Sequence, residues 1–199
     1  MNQLELAYDH YKDSFRLIKD AEKDRNKLFI ILSLLVTSLY LFAIEPNSLL
    51  QIFNDLLKKY SKVDINFSFI IIQSLLWLVL LFYTIRYFQI NTYINRQYDY
   101  LHNLEKSIDN CLEINFKREG EGYLGEYPKF LDLVYYLYTL IFPLIYMLVV
   151  IYKIILEWIN LGFSLPIIFN SSIALCIVIS IILYLNLIHT KIEYTENEL

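Results

Sequence analysis

Residues 166–188 read PIIFNSSIALCIVISIILYLNLI, without a single Asp, Glu, Lys, Arg or His. About 20 predominantly apolar residues carry a helix across the hydrocarbon of a bilayer, and only a helix or a closed barrel satisfies its own backbone groups there. The stretch predicts a membrane span.

Working outward, three more runs have the same character. Leu131 to Trp158 has Pro143 near its middle, and Phe67 to Phe88 carries Gln73 and, at its end, Arg86. Leu28 to Ile44 is broken only by Ser33, Thr37 and Ser38, whose hydroxyls can bond back to the preceding turn. The chain of 199 residues is 57% hydrophobic and 19% charged, with a mean hydropathy of +0.42. A soluble domain averages about 45–50% apolar and about 25% charged. The four runs leave little sequence for a separate aqueous core, which excludes a nucleotide-binding or hydrolase domain on space alone.

The expected fold is therefore all-α: a four-helix transmembrane bundle with a cytoplasmic amphipathic N-terminal helix and a cytoplasmic helical extension of the second span. In order, the segments are residues 1–27 (amphipathic helix), 28–44 (first span), 45–66 (outer loop with an interfacial helix) and 67–88 (second span). They continue with 89–130 (cytoplasmic helix and glycine-rich loop), 131–158 (third span), 159–165 (outer turn), 166–188 (fourth span) and 189–199 (cytoplasmic tail).

Lys and Arg collect on cytoplasmic flanks, whatever the acidic residues do. Lys12, Arg16, Lys19, Lys23, Arg25 and Lys27 precede the first run, and Arg86, Arg96, Lys106, Lys117, Arg118 and Lys129 follow the second. The loop after the first run has Lys58, Lys59 and Lys62, and Asn160 to Leu165 has none. Both termini are expected in the cytoplasm. The segment before Leu28 is too charged and too long for a signal peptide and is expected to stay attached.

Leu4, Tyr8, Tyr11, Phe15 and Ile18 recur at helical spacing and make one apolar stripe. Past the second span, Ile90, Ile94, Leu101, Leu104 and Ile108 continue a similar alternation, and no Gly or Pro interrupts before Gly120. That extension would run roughly 40 Å. The two stripes suit an antiparallel pair, narrow enough to resemble a coiled-coil seam, within one chain or between subunits. Pro46 to Tyr60 reads as a further amphipathic helix, lying on the outer membrane face.

Two places carry candidate functional groups. The first is Lys117, Arg118, Glu119, Gly120, Gly122, Tyr123, Gly125 and Glu126, where three of the chain's four glycines fall within six residues. Glycine serves where the backbone turns through positive φ or approaches another group closely. The segment is either a shaped return to the membrane or a ligand or partner loop, its basic pair for anions and its carboxylates for cations or basic partners. It lacks the Gly-Lys-Ser/Thr ending of a phosphate loop and the spacing of a calcium loop. The second is an intramembrane polar cluster near the outer surface: Gln73, Lys153, Glu157, Asn170, Ser171 and Ser172. It reads either as interhelical glue with a snorkelling Lys and an i,i+4 ion pair, or as the lining of a solute path.

No cofactor is expected and no metal site: Cys111 and Cys176 differ in depth, and His10, His102 and His189 are far apart. No nucleophile and base stand together, so no catalytic residue is assigned and the chain does not read as an enzyme. No direct nucleic-acid contact is expected.

In layout, with four spans, inward termini and no recognisable enzyme domain, the chain resembles the small membrane subunits of bacterial anti-phage systems. These are the membrane subunit of the Kiwa system and the membrane accessory proteins that accompany some RNA-targeting CRISPR nucleases. The resemblance covers the whole chain in layout and rests on no diagnostic motif. It implies membrane surveillance or disruption with a cytosolic protein partner, and no active-site residue transfers. The expected function is an oligomeric membrane sensor or effector, in contact with lipid and a cytosolic partner and forming a homo-oligomer; the alternative is a small channel or transporter using the outer polar cluster.

Overall fold

The computed structural model describes residues 3–61, 69–112 and 129–196; the Gly120 to Gly125 segment and its neighbours lie outside them. The described chain is all-helical, with only Glu45 and Gly162–Ser164 outside helices and no strand. Its elements are α1 (Gln3–Ile44), α2 (Pro46–Ser61), α3 (Phe69–Leu112), α4 (Lys129–Tyr136), a π-helical turn (Leu137–Ile141), α5 (Phe142–Leu161) and α6 (Leu165–Glu196). Four stretches, Glu5–Phe42, Phe69–Asn110, Leu133–Leu161 and Leu165–Ile188, are long and apolar enough to cross a membrane.

The expected N-terminal helix and first span form one helix, Gln3–Ile44, rather than two, because neither Gly nor Pro interrupts the chain before Pro46. Ser33, Thr37 and Ser38 each donate to the carbonyl four residues back, so their hydroxyls are satisfied without a partner helix. Pro46 disfavours helical backbone at Glu45, and then occupies the first position of α2, where its missing N–H costs nothing. At the other turn, Gly162 adopts φ +62°, a conformation that glycine reaches without a Cβ clash, and its N–H bonds the Trp158 carbonyl to close α5. The Ser164 carbonyl then accepts from Ile167 and Ile168 as α6 begins. That helix continues through Glu196, so the expected tail is helical as far as the structure describes it.

The chain divides into two compact units. The first, Met1–Lys27 with Tyr87–Phe142, holds the charged half of α1 against the charged half of α3. Its core is Tyr11, Ile18, Leu101 and Ile108, with Ala7, Phe15, Tyr98 and Leu104 packed on it. Tyr11 donates to Glu105 at 2.8 Å and Tyr98 to Glu22 at 2.9 Å; numbers rise on one helix as they fall on the other, so the pair is antiparallel. The seam departs from the stripe read in the sequence. Tyr8 is 48% exposed, while Ser14 and Ala21 are buried, because closely packed helices keep a spacing of three and four and take small side chains at contact points. Ile90 is only half-buried.

The second unit, Leu28–Arg86 with Pro143–Leu199, holds the apolar parts of α1, α3, α5 and α6. Its buried positions also step by three and four: Gln73, Trp77, Leu80 and Thr84 on α3; Pro143, Tyr146, Val150, Lys153 and Glu157 on α5; Ile167, Asn170, Ala174, Ile177, Ile181 and Tyr184 on α6. That is the seam of a helical bundle. Thr84 and Tyr146 share a hydrogen bond of 2.6 Å, and the Tyr40 and Tyr152 rings stack at 6.1 Å.

Pro143 sits near the middle of the third apolar run, and the local solution to its missing N–H is the π-turn. Phe142 N–H reaches back five residues to the Leu137 carbonyl. In that register the next donor would serve Tyr138, but the next residue is Pro143, which has no N–H.

Candidate functional site: a buried polar cluster

Glu157 is the hub. Its Oε1 accepts from Lys153 Nζ one turn earlier on α5 and from Trp77 Nε1 on α3, each at 2.9 Å. Its Oε2 accepts from Asn170 Nδ2 on α6 at 3.0 Å. One carboxylate thus joins three helices. The Lys153 and Glu157 side chains are 4% and 2% exposed, so Lys153 does not snorkel. Its ammonium stays beside Glu157 because an isolated charge in such surroundings costs several kcal/mol, and pairing with further hydrogen bonds offsets that cost.

Of the six residues expected in the cluster, the structure joins Lys153, Glu157 and Asn170 directly. Ser171 accepts instead from Trp158 Nε1 at 3.0 Å, beside the cluster, and Ser172 is exposed and bonds back to Ile168. Gln73 is 1% exposed, and among the described residues neither its Nε2 nor its Oε1 meets a partner; the same holds for Asn170 Oδ1. Gln73 and Asn170 are enclosed by their own chain, so neither is available on this surface to bond a neighbouring subunit.

Trp77 was missed in the sequence reading. It is fully buried and supplies a hydrogen bond to the carboxylate, yet within an apolar run it counts as one more apolar residue. Its spacing from Gln73, one helical turn on the same face, was the available signal.

The ion pair here is charge-neutral and enclosed. Lys153 and Glu157 cancel, and the void against Lys153, Trp77 and Tyr40 holds about 10 Å³. A groove of about 520 Å³ lies on the outside of the bundle, between α1 and α5, lined by Thr37, Tyr40, Tyr152 and aliphatic side chains. Among the described residues no group of His, Cys, Asp or Glu is placed to hold a metal. Lys117, Arg118, Glu119, Gly120, Gly122, Tyr123, Gly125 and Glu126 lie outside the described residues.

Compared with known protein families, with curated proteins and with solved structures, the chain finds no match.

Proposed function

We propose that the chain is a multi-pass protein of a bacterial inner membrane, with both termini cytoplasmic, acting as an oligomeric sensor or effector together with a cytosolic partner, in anti-phage defence. The observation that carries this reading is the form of α1 and α3. Each is a single helix that passes from a charged half, packed as an antiparallel pair, into an apolar half long enough to span a membrane. A partner that binds the charged pair touches the same helices that build the bundle, and Lys117, Arg118 and Gly120 to Glu126 follow α3 in the sequence. An equilibrium between two arrangements of the bundle would then respond to the partner's differential affinity.

The alternative, a channel or transporter lined by the outer polar cluster, gains less support. Lys153 Nζ, Trp77 Nε1 and Asn170 Nδ2 all bond the Glu157 carboxylate, and the adjoining void is the size of one water. Two assays separate the readings. A sensor or effector, expressed with its neighbouring genes, lowers phage plating and changes membrane potential after infection, and charge reversal of Lys117 and Arg118 removes the response while insertion stays normal. A transporter moves solute in proteoliposomes holding this protein alone, and Lys153→Met stops the flux. Flux without any partner would overturn the sensor reading.

A further inference from the structure

The polar groups at the Gln73 end of the bundle do not close on themselves. Gln73 and Asn170 are each 1% exposed, and three of their four amide ends, Gln73 Nε2, Gln73 Oε1 and Asn170 Oδ1, have no partner among the described residues. Turning the Asn170 amide over would place its oxygen against the Glu157 carboxylate, so neither orientation pairs both of its ends. Thr84 faces Tyr146 and Trp77 faces Glu157, so α3 and α5 run antiparallel. One turn beyond Trp77, Gln73 therefore stands at or just past the level of Glu157, where Asn170 enters from α6.

We propose that Gln73 and Asn170 bind an ordered water molecule that bridges α3 and α6 beside the Lys153–Glu157 ion pair. The unpaired groups are one amide donor and two carbonyl acceptors, the complement of a water that accepts once and donates twice. Buried waters make about three such bonds. Charge selects water over an ion, because Lys153 and Glu157 already cancel and a further charge would lie unneutralised among apolar helices. The site is distinct from the sensor or transporter question and stands whichever holds.

Proton-detected solid-state NMR on the full chain in phosphatidylcholine bilayers tests it. Ile72–Gln73 is the only Ile–Gln step in the sequence, so carbonyl-labelled Ile with uniformly 13C,15N-labelled Gln picks out the Gln73 backbone amide, and correlation through its own side-chain carbons carries the assignment to Nε2 without a substitution. The expected result is a water cross-peak to the Gln73 side-chain amide that survives a gadolinium chelate in the bulk solvent. Exchange of that amide into D2O should be at least tenfold slower than for the exposed Asn47. Asn170→Ala, which removes one of the water's acceptors, should speed this exchange several-fold. Absence of the cross-peak means that Gln73 pairs directly with protein and overturns the proposal. Broadening equal to that of Asn47 means bulk water reaches the site, and a Gln73 shift that follows sodium concentration means an ion; either also overturns it, as does an Asn170→Ala protein with unchanged exchange. Acyl-chain cross-peaks to exposed Leu175 and Ile179 report separately on whether the bundle lies in lipid.

Discussion

The Tyr87 hydroxyl donates to the Tyr138 carbonyl at 3.0 Å, and this is the carbonyl that Pro143 leaves without a backbone donor in the π-register. A side chain on α3 replaces the missing N–H. Arg25 lies over the Tyr138 ring at 4.5 Å and Phe142 meets Tyr87 edge-on at 5.3 Å, so the turn is held from several sides within the first unit.

Tyr87→Phe should therefore lower stability by about 0.5–1.5 kcal/mol, the net worth of one hydrogen bond to a part-buried acceptor. In a Pro143→Ala background residue 143 has an N–H of its own, and the same substitution should cost far less. Equilibrium unfolding of the two single variants and the double variant in detergent measures the coupling. Additive effects would show that the Tyr87 hydroxyl and Pro143 do not serve the same carbonyl.

Lys153→Met should be the most damaging single change in the bundle, lowering stability by about 3–5 kcal/mol, because it leaves Glu157 ionised and uncompensated. Adding Glu157→Gln should recover most of the loss, since the amide oxygen still accepts from Trp77 or Asn170 without carrying charge. Thermal unfolding of the solubilised protein reads both effects. They should be nearly unchanged between low and high salt, because a buried pair escapes screening that weakens an exposed one.

Much of this was legible before any coordinates. Long uncharged runs can only be spans or deep core, so the four apolar helices were readable from composition and period alone. Lys153, Glu157 and Asn170 were readable as one level because polar residues stand out against an apolar background. Trp77 did not stand out, for the opposite reason. The π-turn was not readable either: Pro143 announces a lost hydrogen bond, but whether the helix kinks or widens depends on a donor from elsewhere, here Tyr87, far away in sequence. In the charged helices, the large residues Tyr8 and Phe15 drew attention from Ser14 and Ala21, which the seam takes because they are small.

That seam gives a paired test. Ile18→Ala removes side-chain atoms from a fully buried position and should cost about 2–5 kcal/mol, whereas Tyr8→Ala, at an exposed position, should stay within about 0.5 kcal/mol. Proteolysis of the full-length protein reads the difference as faster cleavage between residues 1 and 27 in the first variant alone. Equal cleavage of both would restore the stripe that runs through Tyr8.

The proposed membrane orientation rests on side-chain charge and can be tested without a functional assay. Six Lys and Arg precede the first apolar stretch and six more lie from Arg86 to Lys129, while the segment after the first stretch has Lys58, Lys59 and Lys62 and the turn at Gly162 has none. With Cys111 and Cys176 replaced by Ser, single cysteines at Asn2 and Glu196 should react in intact cells only with membrane-permeant thiol reagents. One at Ser61, at the end of α2, should react with impermeant reagents as well. The native Cys176 must be removed because it is a free, exposed thiol on the outer face of α6. Labelling of Asn2 from outside would invert the topology and move the charged helical pair, with the Lys117 to Glu126 loop, away from any cytosolic partner. Labelling of Asn2 and Ser61 from the same side would mean that the first apolar stretch does not cross the membrane, despite a length and composition that allow it.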